Sequence, residues 1–91
     1  MTKWRVLRAY HAPDLENDIV ALIGPAALDL AELPWAKQRE AVVDAEFMRI
    51  QLRLPKNEVP AVWDLLGEHG WELVSTDGLE HSTTLWFKKR L

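Results

Sequence analysis

Residues 47–71 read FMRIQLRLPKNEVPAVWDLLGEHGW, and this stretch decides the fold. Met48, Ile50, Leu52 and Leu54 alternate with Arg49, Gln51 and Arg53, the period-two pattern of a strand with one buried face. Pro55 ends that strand, which spans 47–54. Val59, Val62, Trp63 and Leu66 then fall at i, i+3, i+4 and i+7, the inward stripe of a helix over 58–69. Asn57 is its expected N-cap and Pro60 suits its first turn. His69 and Gly70 mark its end. Downstream, Trp71 to Thr76 reads as a strand, Asp77-Gly78 as a turn and 83–91 as the returning strand of an antiparallel pair.

Upstream, 3–10 reads as a strand and Ala12-Pro13-Asp14 closes it. Leu15, Ile19, Leu22 and Ile23 stand at helical spacing, so a helix is expected over 14–23, with Asp14 as N-cap and Gly24-Pro25 as its stop. A further, weakly amphipathic helix is expected over 35–44, with Trp35, Val42 and Val43 as its apolar residues. With 91 residues, the chain is one domain. The class is α+β: an antiparallel sheet of three to four strands with helices packed mainly on one face. The expected core is Val6, Ile19, Leu22, Met48, Ile50, Leu52, Val62, Leu66, Leu73, Leu85 and Phe87. The unit 46–91 is near the size at which a core alone is marginal. It should therefore need residues 1–45 as cover, with 3–10 paired to a sheet edge.

Composition narrows the function classes. Apolar residues at 48% and charged residues at 27% argue against disorder. Cysteine is absent, which removes disulfides, thiolate metal sites and a cysteine nucleophile. Arginines interrupt Met1 to Tyr10, so no secretory leader is read there. No apolar run reaches the roughly 18 residues of a membrane span, and the expected location is the cytoplasm. The net charge of −3 is unevenly spread. Lys3, Arg5 and Arg8 stand without acids in 1–11, whereas 12–46 holds eight acids against Lys37 and Arg39. The acidic segment reads as a solvated helical face or, more sharply, as an acidic docking surface.

Candidate chemistry is sparse. His11, His69 and His81 share no ligand spacing, so no metal site is expected. Asp77, His81 and Ser82 are the residue types of a hydrolytic triad, but one hairpin loop offers neither a rigid nucleophile nor an oxyanion hole. The glycines at 24, 67, 70 and 78 are too scattered to cradle a phosphate. No catalytic residue, cofactor or enzymatic activity is expected.

Leu66-Gly67-Glu68-His69-Gly70-Trp71-Glu72-Leu73-Val74, followed by Leu85-Trp86-Phe87-Lys88-Lys89-Arg90, resembles a family of very small bacterial and phage proteins. That family is known only as a domain of unknown function. The resemblance covers about residues 46–91 and implies a strand–helix–strand–strand unit without a catalytic residue. The motif also has a physical reading. Gly70 ends the helix in a left-handed conformation, Trp71 covers the helix end, and Gly67 implies a close neighbour.

The outward side of the sheet is the richer signal. If Met48, Ile50 and Leu52 point in, Arg49, Gln51 and Arg53 point out. Inward Leu85 and Phe87 would place Trp86, Lys88 and Arg90 outward, joined by Val74. Five Trp against two Phe and one Tyr reinforce the composition of a contact surface. The N-terminal extension either folds over this face or leaves it open. The first functional reading is a non-enzymatic interaction or regulatory module acting through a homo-oligomer, such as a dimer, or a protein partner. The second is a small-ligand or single-stranded nucleic-acid module, with Arg49, Arg53, Lys88 and Arg90 on phosphates and Trp86 stacked on a base. The net charge weighs against that second reading.

Overall fold

The computed structural model describes residues 3–79 and 82–90. Three hairpins build one antiparallel sheet: β1 (Trp4–Pro13) with β2 (Asn17–Ile23), β3 (Val42–Asp44) with β4 (Arg49–Pro55), and β5 (Glu72–Leu79) with β6 (Ser82–Arg90). The strand order is β3-β4-β2-β1-β6-β5, so the first hairpin lies in the middle and the other two flank it. The α+β, antiparallel expectation holds, but the sheet has six strands rather than three or four.

The two extra strands come from segments expected to be helical. Residues 14–23 form a turn and then β2. The Asp14 amide donates to the Asn17 carbonyl at 2.9 Å, closing the β1–β2 turn rather than opening a helix. Ile19, Val20 and Ile23 are β-branched, and a short apolar run of this kind suits a strand flanked on both sides as well as it suits a helix. Val20, Ala21 and Leu22 are all buried, as a central strand requires. Of the helix expected over 35–44, only the first turn exists: α2 (Pro34–Gln38) is capped by Arg39, Glu40 follows with φ of 54°, and Val42–Asp44 forms the edge strand β3.

Three short helices cover one side. α1 (Pro25–Ala31) buries Ala26, Ala27, Leu30 and Ala31, and α3 (Val59–Glu68) buries Val59, Val62 and Leu66. A 3-10 turn at Lys56–Glu58 precedes α3, so Asn57 is not its N-cap. These residues meet Leu7, Ala9, Val20, Leu22, Ile50, Leu52, Leu54 and Phe87 from the sheet. The exit from α3 is a Schellman motif: Gly70 has φ of 87°, its amide reaches the Gly67 carbonyl, and the Trp71 amide reaches the Leu66 carbonyl at 2.9 Å. Trp71 is buried over that helix end. Gly67, by contrast, has no close neighbour: a Cβ there meets nothing within 4 Å.

Four expected core residues lie elsewhere. Val6 is 56% exposed because β1 has the opposite phase, with Leu7 and Ala9 facing the helices. Met48 sits before β4 in a left-handed turn at φ 50°, and Leu73 is exposed at the β5 margin of the sheet. Ile19 points away from the helices, opposite Arg53 of β4 and Ala12 of β1. The strand at 3–10 does not line an outer edge; it bridges the first and last hairpins. Residues 46–91 accordingly contain no continuous sheet, since β2 and β1 stand between β4 and β6.

Candidate interaction surface

The side of the sheet opposite the helices carries the alternate residues of every strand. On β1 these are Trp4, Val6, Arg8 and Tyr10. On β6 they are Thr84, Trp86, Lys88 and Arg90. Antiparallel register sets them side by side as Trp4–Arg90, Val6–Lys88, Arg8–Trp86 and Tyr10–Thr84. No described helix packs here; the buried residues of α1 and α3 all belong to the cluster on the other side. Trp4 is 45% exposed and Trp86 37%.

Two cations rest on the two indoles. The Arg8 guanidinium lies 5.7 Å from the Trp86 ring centroid, and the Lys88 ammonium lies 4.2 Å from that of Trp4. Such contacts contribute about 0.5–1 kcal/mol each at exposed sites, a modest bias toward this arrangement. A register shift in β5 between Leu73 and Ser75 lets Val74 turn toward this side. It opens a groove of about 530 Å³ lined by Trp4, Val6, Val74, Ser75, Trp86, Phe87 and Lys88. That is the volume range of small-molecule sites.

All seven residues singled out from the sequence can now be placed, and they fall into two groups. Val74, Trp86, Lys88 and Arg90 lie together on β5 and β6. Arg49, Gln51 and Arg53 face the same way on β4, but β2 and β1 intervene, so three strand spacings, about 14 Å, separate the groups. Their electrostatics also differ. Arg49 lies 3.8 Å from Asp44, and Arg53 lies 3.5 Å from Asp14. Among the described residues no carboxylate reaches ion-pair distance of Arg8, Lys88 or Arg90. Trp4, Val6, Arg8 and Tyr10 were missed in the sequence, because β1 was read with Val6 facing inward.

Two other clusters bring titratable side chains together. Asp18, buried near the start of β2, accepts from His11 Nε2 at 2.7 Å and from Lys56 Nζ at 2.8 Å. The Lys56 hydrogen bond first, and the His11 hydrogen bond second, hold the Asp18 carboxyl below the usual aspartate range. The His11 ring also stands edge-on to Trp63, which stacks on Phe87. No hydroxyl hydrogen-bonds to His11 among the described residues, so the trio ties the first hairpin to the start of α3. The second cluster lines a cleft of about 160 Å³ between Arg5, Asp29, His69, Trp71 and Lys89 on the helix side, below the size of a typical ligand pocket. Of the imagined triad, Asp77 and Ser82 are strand residues and His81 lies outside the described residues. Among the described residues no group of three or more His, Asp or Glu could hold a metal, and no helix is long and apolar enough to cross a membrane.

No family model matches the chain, and comparison with curated proteins and with solved structures finds no match.

Proposed function

We propose that this chain is a non-enzymatic module that binds a single-stranded nucleic acid on the β1–β6 part of its open sheet face. One observation carries the reading: Arg8, Lys88 and Arg90 form no ion pair among the described residues, and Arg8 and Lys88 lie against the partly exposed rings of Trp86 and Trp4. Aromatic rings among cations are what successive bases and phosphates require. The net charge of −3 is compatible with this, because most of the described acids lie away from the β1–β6 part of the face. Asp29 and Glu32 belong to α1 and the residue capping it, behind the sheet, and Asp18 is buried on the helix side. Asp14 and Asp44 neutralise the arginines of β4, whereas Glu72 and Asp77 stand on β5 opposite Lys88 and Thr84 and border the binding face on that side, Glu72 without forming an ion pair with Lys88.

The test is tryptophan fluorescence during titration with a single-stranded oligonucleotide. Quenching at low salt that weakens as salt rises is expected. Trp86→Ala should weaken binding roughly tenfold, since stacking contributes about 1–3 kcal/mol per base. Absence of quenching at low salt removes the reading, and salt-independent quenching points to an uncharged ligand.

Self-association through the same face is the second reading. It is favoured by Val6 and Val74, each 56% exposed near Trp4, an apolar patch that a second copy would cover. Against it, a two-fold arrangement sets the unpaired cations of one copy near those of the other. Sedimentation over a concentration series decides: a strict monomer at high concentration, unchanged by Trp86→Ala, excludes this reading.

A further inference from the structure

The rungs between β1 and β6 have an order that the general reading does not use. Trp4–Arg90, Val6–Lys88 and Arg8–Trp86 each join one apolar side chain to one cation, three times in succession. The cation is on β6 in the first two rungs and on β1 in the third. Outward rungs repeat every second residue, about 6.6 Å apart, and so match the stride of an extended strand of nucleotides. The fourth rung, Tyr10–Thr84, has no cation, so the series stops there. Its first three rungs also border the groove lined by Val74 and Ser75.

We infer that the nucleic acid lies along the β1–β6 seam, parallel to the strands, with one nucleotide per rung and a site of three nucleotides. This rests on the nucleic-acid reading of the face and adds its direction and length. Each rung gives a base an apolar or aromatic bed and a phosphate a cation. The base at Val6–Lys88 enters the groove between Trp4 and Trp86, where Ser75 supplies the one uncharged hydroxyl. A strand crossing the sheet toward β4 would instead meet Arg49 and Arg53, which are occupied by Asp44 and Asp14. Between them lie Ile23, Ala21 and Ile19 of β2, without charge. The cations without ion pairs among the described residues therefore line up along the seam, bordered by Glu72 opposite Lys88 on β5, whereas across the sheet the arginines are paired.

The experiment titrates the full chain with oligodeoxythymidylates of one to eight nucleotides, reading tryptophan fluorescence and the salt dependence of binding. Affinity should climb to three nucleotides and rise only statistically beyond. Three phosphate contacts give a slope of log K against log salt of about −2, from roughly 0.7 per contact on single strands. Arg8→Ala, Lys88→Ala and Arg90→Ala should each make it shallower by about 0.7, and Arg49→Ala with Arg53→Ala should leave it unchanged. Affinity still climbing at six nucleotides, or equal losses from the β4 arginines, overturns the seam path while leaving the nucleic-acid reading intact. No quenching at any length overturns both. A dimer that the oligonucleotide does not dissociate, seen by sedimentation of the same samples, overturns both in favour of a second copy.

Discussion

Adjacent residues of β1 live in opposite surroundings. Leu7 and Ala9 have no exposed surface, whereas Trp4, Val6 and Tyr10, on the same strand, stand open on the other side. The inward set follows from burial: small and branched side chains fill the space under α1 and α3, at about 25 cal/mol per Å² removed from water. The outward set follows no such rule. Open tryptophan and valine gain little from folding, and they carry an association hazard that polar residues would avoid. The difference teaches where to look for function, namely the side of the sheet that stability does not explain.

The comparison can be broken outright by removing the strands that both sides share. Residues 46–91 alone keep β4 and the β5–β6 hairpin but lose the two strands joining them. They should show no cooperative thermal transition as a monomer, whereas the full chain should; a well-behaved monomeric fragment would refute the account of the sheet. A finer cut uses two neighbours. Leu7→Ala, in the fully buried position, should cost about 2–5 kcal/mol in denaturant melts, while Val6→Ala should stay within about 0.5 kcal/mol. Equal effects would mean that the outward side is covered.

Acid should act on the inward side. Asp18 titrates below its ordinary range when folded, so its contribution is complete above the ordinary aspartate value and is lost as pH falls through the lower folded value. Stability followed from pH 7 downward should therefore fall near and below about pH 4, and Asp18→Asn should flatten that part of the profile. An unchanged profile would detach Asp18 from the hairpin it is taken to hold. The smallest effect is expected at Gly67, in α3 with open space around it: Gly67→Ala should raise stability by up to about 1 kcal/mol.

The parts of the fold that were legible carry their signals locally. The alternation of β4 from Ile50 to Leu54, the stripe of α3 and the Gly70 exit are each specified by residues within one element and are present where expected, while Met48, expected as the first inward residue, lies before the strand. The strand β2 was not legible, because Asn17–Ile23 becomes a strand through neighbours distant in sequence: β1 on one side and β4 on the other. For the same reason, the phase of β1 could not be chosen between Val6 and Leu7 without knowing which side the helices cover. That single ambiguity hid half of the candidate surface. The β6 half was visible because Phe87 fixes the phase of Trp86, Lys88 and Arg90.

The central position of β1 has a consequence for the time course of synthesis. β2 and β4 can join β1 in a growing sheet early, but the other neighbour of β1 is β6, whose register sets Trp4 beside Arg90. At about 5–20 residues per second, the roughly 80 intervening residues take on the order of 4–16 s to appear. During that interval the hydrogen-bonding edge of β1 is open, next to Trp4 and Val6, in the region from which a sheet recruits foreign strands. A nascent chain halted before residue 82 should therefore be more prone to association than the finished one, although it already contains most of the core.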